Sequence, residues 1–423
     1  MRRPAAGVAA LALALSVPFT SSALPAQVER TAAASLRAEL QAAIDAHQLP
    51  GATVLIARGG KLLANVTVGW NDIERRKPLS NDAIFRLYSM SKPITSVAVM
   101  MLAERGKLRL NDPVEKYLPE LANPRVYVSG DLDHMVTEPI RRPMTIADLL
   151  THTSGITYHF TGNTPVHQYY RKYGVMRDTP VGRLPSDGPP ARSLHELVAR
   201  IGKAPLLHQP GTEFAYSYST TVLGAVIERA SATKLDHFLA NNIFRPLGMT
   251  GTGFFIPDAQ LPRFTTLYSA ARDGLVPIEQ PATSDYRDRS RLLDGGGALA
   301  GTARDYLRFA EMLANGGTLQ GHRILKQSSV DAMLTPRVRM AGLGPQTMQF
   351  GYGFSIGDGA SAAAGMQPDG TASWSGSGNT YFFIDRRNHL AAVLMTHVLS
   401  GQNSPTVLAR GILNRAAARL AGN

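Results

Sequence analysis

The sequence predicts an α/β fold: an antiparallel sheet flanked by helices and interrupted by an inserted, mainly helical lobe. Three observations carry this expectation. Short apolar runs at 52–57 and 62–68 flank the Gly59-Gly60 turn, and strands joined so tightly pair antiparallel. Strand-like segments return only towards the other end, at 348–356, 372–384 and 390–396. Between them runs a Pro- and Gly-rich stretch, about 106–290, that holds several short helical patterns. A sheet built from both ends of the chain satisfies all three. Residues 24–105 and 291–423 then form a discontinuous α/β domain, residues 106–290 an insertion lobe, and a cleft lies between them.

The elements follow in order. Residues 1–23 read as a secretory signal: Arg2 and Arg3, an apolar stretch, then Pro18 and small residues, with cleavage expected after Ala23. The stretch is too short to span a bilayer, so no stable membrane insertion is expected once it is removed. Residues 32–47 form an amphipathic helix with Leu36, Leu40, Ala43 and Ile44 on one face, stopped by Pro50-Gly51. After the hairpin, residues 91–105 carry so little polar face that the helix must be buried. In the middle region Thr145 caps one helix, Ser193 and Glu196 form a capping box for a second, and 221–229 and 235–242 give two more. Thr302 caps a helix through Leu313, ended by Gly316-Gly317. The three C-terminal strands follow, and a helix over 405–420 closes the chain with Leu408, Ile412, Ala416 and Leu420 along one stripe.

Composition narrows the chemistry. The 423 residues include no Cys, which excludes a disulfide framework, a thiolate nucleophile and Cys-ligated metal sites. The formal charge is +12, and removing residues 1–23, with two Arg and no acid, leaves 12 − 2 = +10. That excess is dispersed, with no Lys/Arg run of five, so no nucleic-acid groove is indicated. A G-x-S-x-G elbow is missing: Gly359-Ala360-Ser361-Ala362 continues with Ala363. An H-E-x-x-H zinc motif is missing too, because His195-Glu196 is followed by Ala199 at the second ligand position. His152, His159 and His167 lack metal-ligand spacing. His152 reads as a structural hydrogen-bonder near the cleft, and His397 as a residue at its edge.

The sharpest local signal is Ser89-Met90-Ser91-Lys92, at the mouth of the buried helix. Three residues turn a helix by about 300°, so Ser89 and Lys92 project from the same side. The amine can then take the hydroxyl proton, and the positive end of the helix dipole favours the oxyanion over the ammonium. To act near neutral pH, the lysine pKa must fall by about 3 units, on the order of 4 kcal/mol. Burial beside the apolar helix can supply that.

Further motifs accompany it. Pro210-Gly211-Thr212-Glu213-Phe214-Ala215-Tyr216-Ser217 opens a helix, and Ser373-Trp374-Ser375-Gly376-Ser377-Gly378-Asn379-Thr380 precedes an apolar strand. Leu149-Leu150-Thr151-His152-Thr153-Ser154-Gly155, Gly295-Gly296-Gly297-Ala298-Leu299 and Tyr352-Gly353-Phe354 add to the set. In that order, from about residue 35 to 398, the chain resembles the serine hydrolases that include class C β-lactamases, penicillin-binding D,D-peptidases and family VIII carboxylesterases.

The resemblance implies roles. Ser89 is the acylated nucleophile, Lys92 and Tyr216 share the proton work, and the backbone N–H groups of Ser89 and Ser377 form the oxyanion hole. Two departures bear on substrate. Tyr218 stands where the family usually has Asn, and Trp374-Ser375-Gly376 stands where it has Lys-Thr-Gly. An amide grip and a carboxylate-binding cation are thereby lost, while Trp374 offers a face for an apolar acyl or alcohol group. The expectation is a periplasmic or secreted serine hydrolase acting on small-molecule, short- to medium-chain carboxylic esters, without metal or cofactor. Two alternatives stay open: a β-lactamase or D,D-carboxypeptidase/transpeptidase-like enzyme, and a penicillin-binding-like sensor or envelope-binding module that is acylated without turnover.

Overall fold

The strands from the two ends of the chain meet in one nine-stranded antiparallel sheet. A computed structural model describes residues 26–178, 184–272, 274–340, 348–363, 367–399 and 406–421, so the expected signal segment and its cleavage point lie outside the described residues. Strands β1 (Gly51–Arg58), β2 (Lys61–Asp72) and β3 (Lys77–Pro78) come from the N-terminal part. From the C-terminal part come β4 (Val338–Met340), β5 (Met348–Phe350), β6 (Ser355–Ile356), β7 (Ala372–Gly376), β8 (Thr380–Asp385) and β9 (Leu390–Met395). Their order across the sheet is β4-β5-β6-β7-β8-β9-β1-β2-β3. The closing step pairs the last of these strands with the first, with Thr53 opposite Met395 and Arg58 opposite Leu390.

Strand alternation divides the core. Val54, Ile56, Val66 and Leu394 face helices α1 (Ala26–Asp45) and α5 (Thr406–Ala421), which bring Leu36, Leu40, Ile412 and Leu413. Leu55, Phe382 and Val393 belong to the larger core shared with α2 (Ser91–Glu104), α3 (Ser219–Ser231) and α4 (Ala303–Ala314). Being covered on both sides, β1 is buried from Gly51 to Ala57. Helix α2 is buried from Ser91 through Leu102, as its lack of a polar face requires.

Several elements differ from expectation, for local reasons. The run 372–384 is a hairpin, β7 and β8, not one strand. Asn379 takes the left-handed conformation with φ 60, and its N–H donates to the Gly376 carbonyl at 3.0 Å. Ser, Gly and Asn over 375–379 are turn residues that separate the apolar residues on either side. The run 348–356 is likewise broken, at Gly353 with φ 87. The helix expected over 235–242 passes from an α-helix, Leu235–Leu239, into a π-helix, Ala240–Phe244. The region 106–290 also contains strand pairs, Arg125–Ser129 with Val136–Pro139 and Leu267–Ala271 with Gly274–Glu279. The latter pair continues onto Val398–Leu399. At the Ser193 cap, the Ser193 hydroxyl accepts from Glu196 N, but the Glu196 carboxylate accepts from Arg192 N and not from Ser193. The complete capping box is instead at Thr145 with Asp148.

Phe382 is fully buried on β8 and meets Tyr306 of α4 edge-on, with ring centroids 4.8 Å apart. Phe382→Ala should cost about 3–5 kcal/mol of unfolding free energy. Denaturant unfolding checks this, and a loss below about 1 kcal/mol would mean that the sheet and α4 do not share a packed core.

Candidate active site

The site forms where the chain turns from the strand Ile84–Arg86 into α2. That strand pairs with Ala300–Thr302. A single 3-10 turn, Tyr88–Met90, carries Ser89. Tyr88 has φ 45, a left-handed conformation that costs an aromatic residue energy. Three bonds hold the turn: Leu87 N–H to the Leu299 carbonyl at 2.9 Å, Leu299 N–H to Ser91 Oγ at 3.2 Å, and the Tyr306 hydroxyl to the Met90 carbonyl at 2.8 Å. Ser89 is left partly exposed while its neighbours on either side are buried.

Lys92 lies on the first turn of α2 and is buried. Its Nζ sits 3.0 Å from Ser89 Oγ, as the three-residue spacing requires, and donates to the Gly296 carbonyl at 2.7 Å. Tyr216 arrives from the loop before α3, and its hydroxyl donates to Ser89 Oγ at 2.6 Å. Two side chains, one from three residues on and one from 127 residues on, therefore converge on one oxygen. His152 braces the phenol. Its carbonyl accepts from Ala215 N–H at 2.8 Å, its Nδ1 bonds Ser217 Oγ at 3.0 Å, and its ring lies 5.0 Å from that of Tyr216.

Burial sorts the protons. It drives the Lys92 amine down to about 7; the Arg177 charge adds to this and Asp294 opposes it. Burial pushes the Tyr216 phenol above its ordinary value, partly offset by its contacts with Ser89 and Trp374. Burial, then the Lys92 charge, holds His152 well below 6.5. Near neutral pH the phenol and imidazole are uncharged, and the amine is the group that exchanges a proton. Its Nζ also lies 4.6 Å from the Tyr216 ring centroid, where the ammonium formed by proton transfer meets a π-face.

Strand β7 closes the site from the other side. A Cβ on Gly376 would collide with the Leu87 carbonyl, and one on Gly378 would lie 3.4 Å from the Tyr88 ring. Glycines on either side thus bring Ser377 against the turn that carries Ser89. Trp374 is almost fully buried, 5.6 Å from the Tyr216 ring and 5.1 Å from Phe350. The Ser375 hydroxyl accepts from Arg410 of α5 at 2.7 Å.

Two expected positions sit elsewhere. Tyr218 is buried, its hydroxyl bonded to His159 Nδ1 at 2.9 Å and its ring edge-on to Tyr158, so its polar end is taken up away from Ser89. His397 lies in the interior between Phe85 and Tyr268 and not at a cleft edge; burial, with Arg86 nearby, lowers its pKa to about 3. Sequence reasoning missed Arg410 and Tyr158, whose ring lies 5.2 Å from Tyr216 with the exposed Phe160 stacked on it at 4.8 Å. The only trace was an aromatic cluster in a loop, which has no period to read. Among the described residues no group of three or more His, Cys, Asp or Glu is placed to hold a metal ion.

Known proteins share the family and the fold of this chain. A family model described as Beta-lactamase matches residues 36–417. Esterase EstB of Burkholderia gladioli is 34% identical over 404 residues, covering 89% of this chain and 94% of EstB. Among solved structures, EstCE1, "a hydrolase with promiscuous acyltransferase activity", superposes with a TM-score of 0.77 at 27% identity, covering 93% of this chain and 100% of its own. A family VIII carboxylesterase shares the fold at 20% identity and a TM-score of 0.67, covering 92% and 97%.

A base at Lys92 accepts a proton only when neutral, so with Lys92 in that role the reaction of Ser89 with a fluorophosphonate should accelerate as pH rises through about 7. Second-order labelling rates across this range check it. A flat profile between about pH 5 and 9 would place the base elsewhere.

Proposed function

Given that the chain belongs to the beta-lactamase family, we propose that it is a serine carboxylesterase cleaving short- to medium-chain esters through an acyl-enzyme on Ser89. The observation that carries this reading is the convergence of the Lys92 amine and the Tyr216 hydroxyl on Ser89 Oγ. Neutral Lys92 takes the Ser89 proton as Oγ attacks the ester carbonyl. The negative charge that develops on the carbonyl oxygen is met by the backbone N–H groups of Ser89 and Ser377, an arrangement whose single donors are typically worth about 10²–10³ in rate. Collapse expels the alcohol, and the proton held by Lys92 reaches it through the Tyr216 hydroxyl. Water then attacks the acyl carbonyl by the same route in reverse and restores Ser89.

The substrate side rests on the side chains around Tyr216. Trp374, Tyr158 and Phe160 supply aromatic surface beside Tyr216. Tyr218 offers no amide, and Trp374 offers no cation. Both absences favour an uncharged acyl group over a peptide or a β-lactam carboxylate. One observation supports a slower β-lactam activity as the second reading: the Arg410 guanidinium bonds Ser375 on the strand where the family's carboxylate-binding cation lies. The basic start and apolar run of residues 1–23 support export to the periplasm or beyond. No helix among the described residues is long and apolar enough to cross a membrane.

Steady-state hydrolysis of p-nitrophenyl acetate through octanoate, beside a chromogenic cephalosporin, tests the reading. Esters should be turned over well above the cephalosporin, and Ser89→Ala should abolish both. A cephalosporin rate above every ester would reverse the ranking, and full ester activity in Ser89→Ala would remove the nucleophile. Tyr216→Phe should lower kcat by about 10²-fold or more, as expected for loss of a proton-transfer group. An unchanged kcat would reduce Tyr216 to a packing residue.

A further inference from the structure

Behind Lys92 lies a buried cluster that the esterase reading does not use. The Lys92 amine has two bonds, one to Ser89 Oγ and one to the Gly296 carbonyl, so the Gly296 peptide decides where the amine points. The N–H of the same residue donates to Asp294 Oδ1 at 2.7 Å. Thr221 of α3 donates to that oxygen at 2.6 Å, and Arg177 Nε pairs with Asp294 Oδ2 at 3.0 Å. Arg177 also donates from Nη2 to the Gly297 carbonyl at 3.2 Å. Thr95, one turn beyond Lys92 on α2, donates to the Gly295 carbonyl at 2.7 Å. The triple-glycine turn is therefore held by side chains from α2, α3 and the loop bearing Arg177. It must be glycine at its centre: a Cβ on Gly296 would lie 2.8 Å from Thr221 Oγ1 and 2.9 Å from Asp294 Oδ1.

We propose that Asp294 and Arg177 are positioning residues for the Lys92 base: the carboxylate fixes the Gly296 peptide that aims the amine at Ser89, and the guanidinium fixes the carboxylate. The inference rests on the reading of Lys92 as the proton acceptor. The pair also sets the electrostatics. The titratable groups facing Lys92 are the phenols of Tyr216 and Tyr158, the imidazole of His152, and the Asp294–Arg177 pair. Both phenols have raised pKa values and stay protonated, and His152 stays neutral, all through burial. Only the pair carries fixed charge. Asp294 alone favours the ammonium, and Arg177 alone favours the free amine. A buried carboxylate is thereby available to hold the turn while its charge is compensated at the amine.

Asp294→Asn and Arg177→Gln in the full chain test this, with kcat and KM for a p-nitrophenyl ester followed against pH. Each should lower kcat by roughly tenfold to 10²-fold with KM little changed, as for misplacement of a reacting group. Their acidic limbs should move in opposite directions, to lower pH in Asp294→Asn and to higher pH in Arg177→Gln. Arg177→Lys should return the limb towards its original position. A merely structural role would lower the melting temperature and the soluble yield without separating the two limbs. Folded variants with the original kcat and limb would overturn the proposal. Should both charge variants fail to fold, Thr221→Val removes one bond to Asp294 without altering charge; a lowered kcat at unchanged KM supports the proposal, and an unchanged kcat overturns it. Lys92→Arg separates the two ideas, because retained activity there removes the base itself whatever the Asp294 and Arg177 variants do.

Discussion

A buried amine, one helical turn from a serine hydroxyl and driven towards its neutral form, is the constraint on which this structure depends. Lowering a lysine pKa to about 7 costs on the order of 4 to 5 kcal/mol of disfavoured charge. Only an environment that folding has already made dry can impose that. Helix α2 is buried along almost its whole length, and the nine-stranded sheet and α4 form the large core against which it lies. The amine therefore sits in the interior while Ser89, at the helix mouth, keeps contact with solvent. The pairing of β1 with β9 joins the two ends of the chain and keeps that core in one piece.

The remaining parts of the site follow from where the oxygen of Ser89 lies. A strained Tyr88 sets the turn, and bonds from Leu87, Ser91 and Tyr306 hold it. Glycines at 376 and 378 let β7 approach so closely that Ser377 lies against the same turn. The region 106–290 contributes the phenol and its brace, with His152 holding the segment before α3 through the Ala215 N–H and the Ser217 hydroxyl. Each element approaches because a small residue or a buried hydrogen bond allows it. The rings of His152, Tyr158 and Trp374 pack around that of Tyr216.

Much of this was readable from the residues. The amphipathic period of α1, the Gly59-Gly60 turn and the uniform apolarity of α2 each have one structural solution. The Ser89–Lys92 spacing yields its 3.0 Å contact directly from helix geometry. Long-range placement was not readable in the same way. Position 218 lies two residues from Tyr216, yet the start of a helix turns its side chain into the lobe, where His159 takes the hydroxyl. Arg410 sits in a stretch with no motif of its own, and Asp294 just ahead of the triple glycine; their contacts appear only in the fold, to Ser375 and to Gly296, Thr221 and Arg177. The small and polar run 375–380 separates β7 from β8 in the sequence itself, and a left-handed Asn379 makes the turn.

The charge on the Lys92 amine can be observed directly. In full-length protein carrying isotope-labelled lysine, one side-chain resonance, absent from Lys92→Arg, should titrate with a midpoint near 7. If the resonance assigned to Lys92 instead titrates near the ordinary lysine value of about 10.4, the amine is charged at neutral pH, and Ser89 is not activated in the way described.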